Sequence, residues 1–244
     1  MTADRLRSLW AIMYYLGFTP MLRNPLFIPF VFSSPFTLLF ILFVAGGGTA
    51  LPYGIAGALT MVTTELGLFV GTDLASYKIQ NKFQDIVVAS PVSPLIYMFG
   101  VALSELIFGT PALLVLFGLM AWHGASLMTI AITMGVVALL WMTTTSIGFF
   151  FSAYAPSTQN AFIINGFIAT VLSVLPPVYY SVSILPPVLV PLAEILPTTE
   201  ASSLFQGALG LGYSIAPVFS FAVLFVAAAV LLLLVSFKMK WRET

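Results

Sequence analysis

The sequence holds no cysteine and very little charge. The first absence excludes disulfides, thiol catalysis and cysteine-ligated metals. The second is the more telling. Charged residues make up 7% of the 244 positions, whereas a soluble domain carries roughly 25%. Apolar residues reach 60% and the mean hydropathy is +1.10, so hydrocarbon rather than water is the expected surroundings. Histidine occurs once, as His123, which rules out a histidine-based metal site. No G-x-x-x-x-G-K-[ST] phosphate loop, H-E-x-x-H helix or G-x-S-x-G elbow is present. Scattered cations without a basic face also exclude nucleic-acid binding.

The eight basic residues are Arg5, Arg7, Arg23, Lys78, Lys82, Lys238, Lys240 and Arg242. They form three clusters, and none occurs between Phe83 and Phe237. Short basic flanks stay in the cytoplasm, so all three clusters are expected on that side, with both termini cytoplasmic. A hydrocarbon core about 30 Å thick takes roughly 20 apolar residues per helical pass. Six segments fit: 25–45, 52–72, 94–121, 126–152, 160–180 and 214–237. Their connections hold turn residues, as in Gly46-Gly47-Gly48 and Pro156-Ser157-Thr158. Most tyrosines and tryptophans, including Tyr53, Tyr97, Trp122, Tyr154 and Trp241, fall near predicted helix ends, the headgroup level they prefer. Trp141, mid-segment, is the exception. The expected fold class is an all-α polytopic membrane protein, a single domain over 1–244.

Two stretches do not read as simple spans. Residues 4–22 carry Leu6, Leu9, Trp10, Met13 and Leu16 at helical spacing with charges between them, the pattern of a helix lying in the interface. The alternative is a disordered leader. A cleavable signal peptide is not expected, since the apolar run is broken and no small-residue cleavage site follows. Residues 181–212 are apolar but hold Pro186-Pro187, Pro191 and Pro197. Proline breaks helices into short pieces, so two short re-entrant helices, about 187–195 and 198–210, are expected at the outer side.

Residues 73–93 form the only internal charged loop. A helix over about 76–89 is expected there, with Lys78, Ile79, Lys82, Phe83, Asp85 and Ile86 as candidates for contact with a soluble partner. Within the spans stand Glu65 and Glu105, with no Lys or Arg in any span to offset them. An acid at mid-membrane costs roughly 2.5–3.5 kcal/mol on insertion scales. Either they face a site for a cationic or hydrogen-bonding substrate or a proton-coupled gate, or they are protonated and bonded to a neighbouring helix. Asp4, Asp73 and Asp85 are all expected in cytoplasmic segments. Thr60 and Thr64 share a face with Gly67 and Gly71, and Asn165 and Ser173 share another with Ala169. Small residues so spaced mean close helix packing, or else a cavity wall.

Three runs carry a resemblance. The first spans Lys82 to Asp85, Ser90-Pro91-Val92-Ser93-Pro94 and Tyr97-x-x-Gly100. The second is Gly148-Phe149-Phe150-Phe151 followed by Ala155-Pro156-Ser157-Thr158-Gln159. The third is Leu175-Pro176-Pro177-Val178-Tyr179-Tyr180, continuing to Leu185-Pro186 and Leu196-Pro197-Thr198-Thr199. In this order the chain resembles the permeases of type-2 ATP-binding-cassette exporters, a family that includes daunorubicin-type drug efflux and polysaccharide and nodulation-factor export permeases.

The resemblance implies a half-transporter in the cell membrane that pairs with a second permease subunit, as a homodimer. A separate ATPase subunit would carry ATP and Mg, this chain binding no cofactor itself. The 76–89 helix would be its coupling helix, and the second and fifth spans would flank the substrate path. Pro176, Pro177, Tyr179 and Tyr180 would belong to the outer gate. The substrate expected is lipophilic or amphipathic. The alternative function is a passive channel or a scaffold for a membrane complex.

Overall fold

A computed structural model describes residues 2–90 and 92–238. Lys240, Trp241 and Arg242 therefore lie outside the described residues, as does Pro91 of the Ser90–Pro94 turn. Among the described residues the regular secondary structure is all helical, without a strand. An N-terminal arm comprises α1 (Thr2–Met13) and α2 (Thr19–Arg23), joined by the π-helical turn Tyr14–Phe18. Then follow α3 (Phe27–Gly46), α4 (Leu51–Ile79), the short α5 (Phe83–Val88), α6 (Pro94–Trp122) and α7 (Leu127–Ser152). The remainder is α8 (Thr158–Val174), α9 (Val190–Glu194), α10 (Pro197–Ala208) and α11 (Pro217–Lys238).

Local chemistry sets many of these boundaries. Ser93, Ser126 and Ser157 cap α6, α7 and α8, each hydroxyl accepting the backbone N–H three residues on. Proline opens α4, α6 and α10, where the first turn has no N–H partner to lose. Pro35 and Pro111 sit inside α3 and α6. Membrane helices tolerate such prolines because neighbouring groups satisfy the freed carbonyls.

Among the described residues, five helices (α3, α4, α6, α7 and α11) are long and apolar enough to cross a membrane. The sixth, α8, has 17 residues, about 25 Å at 1.5 Å per residue. The expected fifth span to Tyr180 is thus too long. The helix stops at Val174, and Leu175–Tyr180 is irregular chain ahead of Pro176-Pro177. The expected 187–195 helix shrinks to the five residues of α9, whereas α10 matches its expectation closely.

The most apolar stretch of α4 is 89% buried inside the protein, against 6% for α3 and 17% for α11. Helix α4 is therefore the axis of the bundle, enclosed by α3, α6, α7, α8 and α10. Its approach to α7 depends on missing side chains. A Cβ at Gly67 would strike the Thr144 hydroxyl, and one at Gly71 would strike the Gly148 carbonyl. This is the small-residue packing that brings membrane helices together, and it absorbs the Thr143–Ser146 run into the same interface.

The arm is helical rather than a disordered leader. Its helix runs alongside the start of α6, with Ile12 over Gly100 and Gly17 over Ser104 and Ile107. Leu6, Trp10, Tyr14, Tyr15 and Leu22 remain exposed.

Candidate functional site

The residues at positions 65, 69, 73 and 77 of α4 recur every four positions, so one stripe of the helix carries Glu65, Phe69, Asp73 and Tyr77. That stripe faces a cleft of about 360 Å³. Phe30 and Val31 of α3, Glu105 and Phe108 of α6, Phe162 of α8, and Leu16 and Pro20 of the arm complete its wall. Phe69 stacks on Phe162 at 6.2 Å between ring centroids and lies tilted against Phe30 at 6.3 Å. Aromatic and acidic side chains thus line the same cleft.

Three carboxyl groups thus reach one space. The Ser34 hydroxyl of α3 hydrogen-bonds the Glu65 carboxyl. Asp73 and Glu105 hydrogen-bond each other across the α4–α6 gap. The Tyr77 hydroxyl donates to Asp73 Oδ2 at 3.3 Å. An ionised carboxylate only accepts hydrogen bonds, so the Asp73–Glu105 contact requires one shared proton. The described lining includes no lysine, arginine or histidine.

The placement of Asp73 corrects an expectation. The sequence places it in the cytoplasmic segment that follows the expected end of the second span at Thr72. Instead α4 continues to Ile79 and carries Asp73 inward to Glu105. Of the other proposed pathway residues, Thr60 and Thr64 are wholly buried in α4 and back-bond to the carbonyls of Ala56 and Thr60. Asn165 donates to Thr72 Oγ1 at 3.1 Å, and Ser173 is buried. None of these four lines the cleft.

The expected 76–89 helix is also corrected: it is two pieces. Lys78 and Ile79 end α4, and the chain turns at Lys82, whose φ of 50° is left-handed. Phe83, Asp85 and Ile86 lie on α5. Phe83 turns inward, its ring 5.9 Å from Tyr77 and 6.3 Å from Tyr97. Ile86 is 66% exposed and Ile79 40%, and Lys78, Lys82 and Asp85 are exposed beside them. The apolar surface open to a partner is therefore carried by the two isoleucines, and the phenylalanine serves the fold.

At the opposite end of the bundle, the irregular chain after α8 is held from two sides. The Tyr179 ring packs where a Cβ at Gly57 would stand, and its hydroxyl donates to Met61 Sδ at 3.3 Å. Ser202 of α10 donates to the Val178 carbonyl at 2.6 Å, and Gln206 to the Tyr180 carbonyl at 3.1 Å. The Tyr180 hydroxyl donates to Leu175 O at 3.3 Å. Pro176 and Pro177 make the break that lets this chain fold back.

Nearby, α10 buries Glu200 completely, and neither carboxyl oxygen makes a hydrogen bond of ordinary geometry among the described residues, although the Ser220 side chain lies beside it. Burial pushes this carboxyl above its ordinary range; the Ser220 side chain acts against that shift and Glu194 with it. Glutamate in the first turn of a helix is ordinary, so its position in the sequence does not mark Glu200 as buried.

No curated protein matches the chain. The family model of the ABC-2 type transporter matches residues 4–210, a stretch that takes in the arm, the cleft, α5 and α10.

Proposed function

The chain belongs to the ABC-2 type transporter family, and from that membership we propose that it is the permease half of an ATP-driven exporter. ATP is hydrolysed by a separate subunit, since this sequence has no phosphate-binding loop. The end of the bundle bearing Arg5, Arg7, Arg23, Lys78 and Lys82 faces the cytoplasm, as the positive-inside bias requires. There the tip formed by Ile79, Lys82, Asp85 and Ile86 receives the ATPase. Its movement is passed into the bundle through Phe83, which is wedged between Tyr77 of α4 and Tyr97 of α6. Those are the two helices that hold the acidic cleft. At the far end, α10 and the Tyr179–Tyr180 chain act as the gate. A second copy of the permease completes the pathway, covering part of the exposed apolar surface of α3 or α11. The substrate is lipophilic or amphipathic and moves outward by alternating access.

The observation that carries this reading is the family membership over most of the chain. It is tested by co-expressing the permease with the ATPase encoded nearest to it and isolating the pair. Co-purification with ATP hydrolysis is expected. Ile86→Asp is expected to abolish co-purification, because an unpaired carboxylate in a docked surface costs several kcal/mol, while leaving the permease folded. Phe83→Asp is expected to unfold the permease instead. A permease that co-purifies with no ATPase, and stimulates none in membranes, overturns the reading in favour of a channel or scaffold.

A further inference from the structure

The cleft between α3, α4, α6 and α8 has a chemistry more specific than that of a general apolar binding site. Its volume of about 360 Å³ lies within the range of small-molecule sites. Its polar groups are three carboxyls, one tyrosine hydroxyl and Thr72, and the rest is apolar or aromatic. Negative charge of this kind calls for a cation. A metal ion does not suit the site: no group of three or more metal-ligating side chains converges among the described residues. Calcium and magnesium need about six oxygens close around them. An organic cation needs only a nearby negative charge and aromatic faces, whose quadrupoles attract it. The Phe30, Phe69 and Phe162 rings line the cleft beside the carboxyls.

We propose that this cleft is a proton-exchanging site for an organic monocation, in which the bound cation takes the place of the proton shared by Asp73 and Glu105. In the empty cleft that proton holds the pair together and limits its charge to one unit. When a monocation enters, the O–H bond breaks and the proton leaves to water. Two carboxylates then flank the cation, and the charge of the site is unchanged. No covalent bond forms. The titratable groups facing the pair are Glu65 and Tyr77 on α4 and Tyr97 on α6. The segments α3 and α8 contain no titratable residue, and the arm presents Leu16 and Pro20. Asp85 and Lys82 near α5 do not line the cleft. Glu65 is the other carboxyl lining the cleft, and the proposal requires that the displaced proton pass to water rather than to it. Describing the cation as a transported substrate rests on the permease reading above; the exchange itself does not.

The test uses the full chain in lipid nanodiscs with tetraphenylphosphonium, a permanent cation, and tetraphenylborate, an anion of the same shape. Calorimetry in two buffers of different ionisation enthalpy counts protons released. About one proton per phosphonium is expected, with affinity rising about tenfold per pH unit while the pair holds its proton. The borate is expected to bind at least tenfold more weakly. Asp73→Asn and Glu105→Gln keep shape and a hydrogen bond across the pair, so both are expected to fold. Each is expected to lose the proton release and to weaken phosphonium binding tenfold or more. Equal binding of the two probes, or phosphonium binding with no proton release in the unaltered protein, overturns the proposal whatever the variants do. If an ATPase still co-purifies in that case, the permease reading survives and only the site's ligand class falls. Proton-coupled phosphonium binding without any ATPase would uphold the site and remove the exporter.

Discussion

Glu200 gives the sharpest test of the packing at the far end of the bundle. It lies in the first turn of α10 with no exposed surface, and neither carboxyl oxygen makes a hydrogen bond of ordinary geometry among the described residues, Ser220 being the nearby polar side chain. Two effects oppose each other there. A helix N-terminus favours a carboxylate by about 0.3–1 kcal/mol, whereas an unpaired buried carboxylate costs several kcal/mol. The larger effect wins, so the folded protein holds Glu200 protonated at pH values where the unfolded chain does not. Even the neutral acid leaves polar atoms unsatisfied, at about 1–3 kcal/mol. Methionine has similar length and adapts to irregular space. Glu200→Met is therefore expected to stabilise the protein by about 1–3 kcal/mol at neutral pH.

The pH dependence follows from linkage. Between the ordinary glutamate value of 4.5 and the raised folded value, the native state binds more protons than the unfolded one. Stability then falls as pH rises through that window. Glu200→Gln keeps the polar cost but cannot titrate, so its stability relative to the parent is expected to improve steadily as pH rises from about 4.5. Denaturant unfolding in detergent, followed by tryptophan fluorescence from pH 4.5 to 8, measures both effects. A Met variant destabilised by more than about 1 kcal/mol, or a Gln variant whose pH slope parallels the parent, would show that the carboxyl has a partner and refute the argument.

Two further outcomes are expected. Gly67→Ala puts a methyl group against Thr144 and the Thr145 backbone and is expected to cost about 1–3 kcal/mol in thermal unfolding. Gly118→Ala on α6 meets open space and is expected to be neutral or stabilising by up to about 1 kcal/mol, so equal effects at the two sites would contradict the α4–α7 crossing. Because the chain has no cysteine, Gly48→Cys, His123→Cys and Asn81→Cys can each report topology alone. The first two should react with an impermeant maleimide from outside intact cells and the third only after lysis; the reverse pattern would invert the orientation.

Local chemistry accounts for what could be read from the sequence. A bilayer demands a length of apolar residues, so hydropathy located the spans, although the second and fifth end well away from their expected ends. Serine caps and prolines marked where α6, α7, α8 and α10 begin, since these act through their own backbone neighbours. Basic residues clustered at one end, and the absence of a phosphate loop pointed away from ATP hydrolysis in this chain.

Tertiary contact decided the rest. In a membrane helix the side facing lipid and the side facing protein are both apolar, so no hydrophobic stripe says which face is inside. The sequence could place Glu65 and Glu105 in spans, but not in one cleft. It ended α4 at Thr72 because polar residues follow, although packing against α6 continues the helix to Ile79 and brings Asp73 to Glu105. It made Phe83 a docking residue for its size, whereas the turn at Lys82 directs that ring between Tyr77 and Tyr97 and leaves Ile86 outward. Pairings between distant helices depend on where each helix is rotated about its axis, and only the packed bundle sets that rotation.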